Sequence, residues 1–445
     1  MKKLSRGLLL LSCLVLPQIA NAKKWTLDDC VAYALANNIS IQKTKINRLS
    51  AHEDVLQAKA DLLPSLNAQT SQSVIWQPFP ETGHYTVANG TVETSVDKVY
   101  YNGSYGLNLN WTVWNGNRNR NQIKADKLAE EQAVLDSAIT ANSIQEQIVQ
   151  LYIQILYSAE AIDVNKQSLI TSQKNEERGK TMVDVGKMSR ADLAQLSAQR
   201  AQDEYNIVAA EATLRNYKRQ LKQLLELTDD EEFDVVLPTT LNGDTLQDIP
   251  GLTTVYNSAL GHRPEIQSQH LAMEQSDVNI ALAKAQGLPT IGITSGIGSN
   301  TTTMSDNTWG KQMKNNLNMS AGVTVSVPIL DNRQRLTAVN KARLAKESSM
   351  LELRNQQTQL YSTIESYWIQ AVTNQSKYRA AIVNTESQEA SYEMLSEQFR
   401  LGLKNIVELM NGKTNLLSAQ QNELESKYLT LFNIKMLQFY KDGEL

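Results

Sequence analysis

The chain holds two copies of one architecture, and this duplication constrains its fold more than any other feature. Ala58-Lys59-Ala60-Asp61-Leu62-Leu63-Pro64-Ser65-Leu66 recurs as Ala283-Lys284-Ala285-Gln286-Gly287-Leu288-Pro289-Thr290-Ile291, an offset of 225 positions. At the same offset Ala34-Leu35 matches Ala259-Leu260, and Ile41-Gln42 matches Ile266-Gln267. Farther on the offset is 216: Gly106-Leu107-Asn108-Leu109 pairs with Gly322-Val323-Thr324-Val325, Lys127 to Glu131 with Arg343 to Glu347, Gly186 with Gly402, and Asp192 with Glu408. The length change of nine therefore falls between 67–105 and 292–321. The copies lie near 26–237 and 253–440.

Each copy reads helix, strand, loop, strand, then a very long helical pair. Thr26-Leu27-Asp28-Asp29 looks like a capping box that opens the first helix, and Pro64 closes the helical region. After the proline the hydrophobic period becomes two. Leu66, Ala68, Thr70, Val74 and Trp76 share one parity, with Asn67, Gln69, Ser71 and Ser73 between them. The next strand is cleaner: Val99, Tyr101, Gly103, Tyr105, Leu107, Leu109, Trp111 and Val113 on one face, Asn102 to Thr112 on the other. In the second copy Ile291, Ile293 and Ile297 alternate with Thr290, Gly292 and Thr294, and Leu317 to Ile329 alternates in the same way. Such strands fit either a soluble antiparallel sheet with one wet face or the wall of an outer-membrane barrel. Their length, their neutral polar face and the export signal described below favour the barrel. Trp76, Trp111 and Trp114 near strand ends suit an interfacial girdle. The polar stretches Gln77 to Lys98 and Ser299 to Asn316 read as loops.

Four strands cannot close a barrel, since the smallest have about eight. An open edge in lipid leaves backbone groups unpaired, each costing several kcal/mol. Several chains must then share one barrel, and three chains of four strands give twelve. The rest of each copy is helical. No proline occurs from Glu81 to Leu237 or from Ile329 to Leu445. Helices are expected over Asn117 to Val185, roughly 100 Å at 1.5 Å per residue, and from Ala191 to Leu227, with the same pattern again around Gly402. Their Ala, Gln, Asn, Ser, Lys and Glu content suits a coiled-coil wall with one wet side.

The N-terminus is a targeting segment. Lys2, Lys3 and Arg6 precede the apolar run Leu8 to Leu16, and Ala20-Asn21-Ala22 is an A-x-A cleavage site. Leu10-Leu11-Ser12-Cys13 resembles a lipoprotein site, but the residues after Cys13 are apolar, so the reading is a mature chain from Lys23, with lipidation of Cys13 left open. Loss of those three basic residues takes the formal charge from −4 to about −7, which argues against a nucleic-acid partner. Cys30 alone remains, so no internal disulfide can form. No downstream run is long and apolar enough for a membrane helix. No phosphate loop, nucleophile elbow or zinc signature is visible, and His52, His84, His262 and His270 show no ligand spacing. No enzymatic activity, cofactor or metal is expected.

Taken in order, the duplication, the Leu-Pro strand entries Leu63-Pro64 and Leu288-Pro289, and the strand exits Trp114-Asn115-Gly116 and Leu330-Asp331-Asn332 resemble the TolC-like outer-membrane efflux family along nearly the whole mature length. Two helical turns carry the same likeness, Val185 to Asp192 and Leu401 to Glu408. The resemblance implies an α+β membrane protein: a homotrimer with a 12-stranded β-barrel in outer-membrane lipid, four strands per chain. That barrel would run into a long α-helical barrel in the periplasm. It divides the chain into a signal peptide (1–22), a first repeat (23–237), an inter-repeat equatorial segment (238–252) and a second repeat (253–445). It implies passive conduction of small molecules or peptides after opening by a periplasmic adaptor and an inner-membrane pump of RND or ABC type.

Adaptor contact is carried over to Val185, Gly186, Lys187, Met188 and Ser189, and to Leu401, Gly402, Leu403, Lys404 and Asn405. A periplasmic gate is carried over to Asp192, Phe399, Lys404, Glu408 and Asn411, with Lys404 as the basic partner and Arg190 a further basic residue. Asn411 departs from the family's acidic pattern, so a single Glu408 ring would hold cations less strongly than two. The alternative is that these are solvated surface charges worth little. Rival classes are a structural or adhesive coiled-coil surface protein, a periplasmic adaptor with one hairpin, and a cell-wall hydrolase. The twice-repeated strand pairs disfavour the first two, and the missing acid or nucleophile constellation disfavours the third.

Overall fold

The computed structural model describes residues 24–79, 83–87, 90–94, 97–228, 233–237 and 244–443. The signal peptide and Cys13 lie outside them, as do Pro80 and Asn89 of the first connecting segment and Pro238 of the inter-repeat segment. In chain order the elements are β1 (Lys24–Trp25), α1 (Leu27–Asn37), α2 (Ile39–Ala60), β2 (Ser65–Trp76), β3 (Gly83–Val87), β4 (Gly90–Thr94) and β5 (Val99–Trp114). The long pair α3 (Arg118–Asp184) and α4 (Arg190–Leu224) completes the first copy. After β6 (Asp234–Val235) and a short 3-10 turn, the second copy runs α5 (Leu252–His262), α6 (Pro264–Ala285), β7 (Thr290–Thr302), α7 (Trp309–Asn315), β8 (Asn318–Ser326), α8 (Gln334–Arg400) and α9 (Ile406–Asp442).

The capping box is present at Thr26: its hydroxyl accepts from Asp29 N–H at 3.1 Å, and the Asp29 carboxylate accepts from Thr26 N–H at 3.2 Å. The first helical region breaks at Asn38 and the corresponding one at Arg263, 225 positions later. Two of the expected loops hold regular structure. Within Gln77 to Lys98, β3 and β4 form an antiparallel hairpin. Within Ser299 to Asn316, β7 extends to Thr302 and α7 follows. Gln312 of α7 bonds both backbone groups of Thr302, accepting from its N–H (2.8 Å) and donating to its carbonyl (3.0 Å). Side-chain bonding to a strand end leaves no periodic trace in sequence, which is why composition alone reads as loop.

The chain forms two compact units, and neither is a sequence repeat. Each draws on both copies. One unit contains 40–141 and 256–364, with the four-stranded sheet. The sheet order is β2-β5-β7-β8, antiparallel throughout. Its registers align the parities read from sequence: Ala68, Leu107, Ile297 and Met319 form one row, and Asn67, Asn108, Gly296 and Ser320 the adjacent one. The apolar face is exposed, with Met319 and Trp76 at 71% and Val323 at 68%. Strand exits repeat as well. Gly116-Asn117 and Asn332-Arg333 all hold left-handed φ. The side chains just before them cap the next helix: Asn115 accepts from Asn119 N–H at 3.2 Å and Asp331 from Arg335 N–H at 3.0 Å.

The other unit contains the described part of 24–39, 142–255 and 365–443. Here β1 pairs parallel with β6, and the Tyr152 hydroxyl donates to Val236 C=O at 2.8 Å. Gln375 of α8 donates to the carbonyls of Thr245 (3.2 Å) and Gln247 (2.8 Å), so the inter-repeat segment is tied to the helices rather than left as linker. Ile148, Ile155, Leu156, Leu437 and Phe439 are among the largest fully buried side chains of the molecule.

Candidate functional site

The ends of the two long helical pairs are built alike. At the end of α3, Gly186 N–H bonds Val183 C=O (3.0 Å) and Lys187 N–H bonds Met182 C=O (2.8 Å). At the end of α8, Gly402 N–H bonds Phe399 C=O (3.0 Å) and Leu403 N–H bonds Gln398 C=O (2.9 Å). Both are Schellman motifs, which need a left-handed residue after the helix. Gly186 has φ 74° and Gly402 has φ 77°. A Cβ at either would meet nothing within 4 Å, so the need for glycine here is conformational and not steric. The chain re-enters helix through Ser189 and Asn405. Ser189 Oγ accepts from Asp192 N–H at 3.1 Å, and Asn405 Oδ1 accepts from Glu408 N–H at 3.0 Å.

Val185, Gly186, Lys187, Ser189, Leu401, Gly402, Leu403 and Asn405 are exposed, while Met188 and Lys404 are partly covered. Asp192 lies in the first turn of α4, and Asn411 is exposed on α9. Glu408 has two local partners: Lys404 Nζ at 2.6 Å and Asn405 N–H at 3.2 Å. The Lys404 hydrogen bond, aided by the Asn405 N–H, holds its carboxyl below the ordinary 4.5. The Lys404–Glu408 pair thus lies across the start of α9, joining the turn before the helix to its first turn. Phe399 is 3% exposed. It packs in a cluster with Leu196, Tyr392, Ile406 and Leu409, with Met182 and Met188 against it. Within one chain its ring belongs to the core that joins the two helical ends.

Sequence reading missed the polar centre behind this cluster. Lys413 of α9 reaches Asp203 of α4 and Ser172 of α3, and Ser172 Oγ donates to Asp203 at 2.5 Å. Gln199 donates to the other Asp203 oxygen at 3.0 Å. The Lys413 and Asp203 side chains are 7% and 1% exposed. Burial pulls the Lys413 amine below its ordinary 10.5, and Asp203 acts in the opposite sense. Asn175 of α3 donates to the Tyr392 hydroxyl of α8 at 3.0 Å. No pattern within one copy signals partners more than two hundred positions apart. Closer to the tips, packing alternates between copies. A Cβ on Gly179 would lie 2.6 Å from Leu196, and one on Gly412 would lie 2.7 Å from Leu395. Gly179 corresponds to Leu395 and Leu196 to Gly412 at the 216 offset, so the large and small partners have exchanged places.

Among the described residues no helix is long and apolar enough to cross a membrane. The sheet exposes one apolar face. Its opposite face carries Asn, Gln, Ser, Thr and Gly and no charged residue in the central rows.

Comparison with known proteins agrees with this architecture. The family described as "Outer membrane efflux protein" matches residues 31–226 and 255–437, one stretch in each copy. The outer membrane efflux protein BepC of Brucella suis is 22% identical over 422 residues, covering 94% of this chain and 85% of that protein. The outer membrane protein TolC of Salmonella enteritidis is 22% identical, covering 90% of this chain and 78% of its own length. Among solved structures, the CmeC outer membrane channel of Campylobacter jejuni superposes with a TM-score of 0.77 at 19% identity, covering 94% of this chain and 85% of that one. The chain belongs to the outer membrane efflux protein family and has the TolC-like channel fold, located in the outer membrane and extending into the periplasm.

Proposed function

We propose that three copies of this chain form the exit duct of an envelope-spanning efflux or secretion assembly. Small molecules or peptides pass through passively once an adaptor and an energised inner-membrane pump open the periplasmic end. The observation that carries this reading is the four-stranded sheet with two open edges and one exposed apolar face. In lipid such edges are tolerable only when another copy covers them. The uncharged polar face then lines a lumen. Relatives named for alkaline protease secretion and for toxin and drug export accord with a conduit that is not selective by chemistry.

The exposed tips 185–189 and 401–405 are the adaptor contacts in this reading. Asp192, Glu408 and Asn411 line the entrance, with Lys404 partnering Glu408. Phe399 would hold the entrance helices together from behind. Deletion of the gene in its host, with plasmid complementation, tests the function. Deletion should raise intracellular accumulation of dyes and drugs and lower their minimum inhibitory concentrations, and complementation should reverse both. Unchanged accumulation and unchanged export of peptides in a host without a second such channel would sink it.

A further inference from the structure

The duplication also sets how one protomer meets the next. In β2–β5 the numbers of facing residues add to 175, as for Leu66 and Leu109. In β7–β8 they add to 616, as for Ile293 and Val323. The sequence offsets account for this: β2 maps onto β7 by 225 and β5 onto β8 by 216, and 175 raised by both offsets is 616. The remaining pairing, β5–β7, joins the end of one copy to the start of the other. Its facing numbers add to 404, as for Leu107 and Ile297. The reciprocal joint, from the end of the second copy to the start of the first, would use β8 and β2, which are the two open edges.

Raising 404 by 216 for β5 to β8, and lowering it by 225 for β7 to β2, gives 395. We propose that β8 of one protomer pairs antiparallel with β2 of the next at this total, with Val323 facing Gln72 and Thr324 facing Ser71. The proposal rests on the shared-barrel reading above and adds the register.

Three further properties fit. The first is the face. An odd total sets the odd, apolar-face residues of β8 against the even residues of β2. A one-residue slip would set Val323 against Ser71 or Ser73 of the polar face. The second is hydrogen-bond direction. Thr303 N–H donates to Tyr101 C=O at 3.0 Å, and Gln77 N–H to Lys98 C=O at 2.7 Å. Odd residues of β5 therefore bond toward β7 and even ones toward β2. By the same alternation, even residues of β2 aim their backbone groups at the open edge. Carried over by 216, so do odd residues of β8. The total matches these two sets to each other. The third is Pro328. It is even-numbered, so its missing N–H falls on the β7 side and not on the seam.

Cysteine cross-linking of the full-length protein in outer-membrane fractions tests the register. Ser71→Cys with Thr324→Cys places both thiols on the polar face at a non-hydrogen-bonded pair, where Cα atoms are about 4.5 Å apart. That separation is within disulfide reach. Ser73→Cys or Gln69→Cys with Thr324→Cys are diagonal pairs at about 7–8 Å. Native Cys30 is buried and burial pushes its thiol up to about 12, so it contributes little background. Under a mild oxidant, the matched pair should give a covalent ladder ending at the trimer, at least about five-fold more complete than either diagonal pair. A diagonal pair that outruns the matched one, or no cross-link at the matched pair in a protein whose detergent mass is trimeric, overturns the register and leaves the trimer standing. No cross-link from any pair in a protein of monomeric mass overturns both.

Discussion

Replacing Lys413 with methionine keeps the volume of the side chain and removes its charge. The structure makes the consequence large. Asp203 is 1% exposed, and Lys413 is the cation that reaches it. An isolated buried charge costs about 3–5 kcal/mol when its partner is removed, against 0–1 kcal/mol for an exposed pair. The three side chains come from α9, α4 and α3, so the loss falls on the packing of these helices against one another. A channel of several parts does not unfold as one unit, so a global midpoint is a poor readout. Native-state hydrogen exchange reads local opening instead. Amides flanking 172, 203 and 413 should exchange roughly 100- to 4,000-fold faster in Lys413→Met, given about 1.4 kcal/mol per decade. The double variant Lys413→Met with Asp203→Leu, which removes both charges, should recover most of that protection. Equal exchange in the single variant and the parent would show the pair to be solvated. Equal loss in the single and double variants would show a packing defect. Either result refutes the electrostatic argument.

Gly402→Ala should destabilise its tip by about 1–2 kcal/mol, because an alanine must adopt left-handed φ, and Gly402→Asn by less; native-state amide exchange at 398–405 would rank the three. The Glu408 carboxyl lies below its ordinary 4.5 when folded, so its support of the α9 start is full above 4.5 and is lost as pH falls through the lowered value. Amide exchange at 405–408, corrected for intrinsic rates, should therefore accelerate at pH 3 relative to pH 6. Val323→Arg on the apolar face should lower the yield of folded protein in the outer membrane, with a cost of about 2–4 kcal/mol at mid-bilayer, whereas Thr324→Arg on the polar face should assemble normally; heat-modifiable migration on gels separates the outcomes.

Much of this fold was legible because it depends on local periodicity. The parities of Leu107 and Leu109, and of Val323 and Val325, survive unchanged as one face of the sheet. The expected helix from Asn117 to Val185 matches α3, Arg118–Asp184, to within one residue at each end. Gly186 and Gly402 were readable since only a left-handed residue closes a Schellman turn. What escaped depends on contacts between distant residues. α7 is held by Gln312 bonding to Thr302, and the β3–β4 hairpin sits in a stretch of turn formers. Lys413 and Asp203 read as ordinary charges of two separate helices, and only their burial against each other distinguishes them. Phe399 sits at a position the family resemblance assigns to the gate, and its ring fills the cluster with Tyr392 and Leu409, a packing role that residue type alone does not show.

The central claim is that one chain supplies too few strands to seal a pore and that identical copies complete it. The mass of the purified protein in detergent, by native mass spectrometry or light scattering with the detergent subtracted, tests this most directly. The account predicts three mature chains per particle at every concentration above the detergent's critical micelle concentration. A stable, folded single chain, dispersed in buffer without detergent, would contradict it.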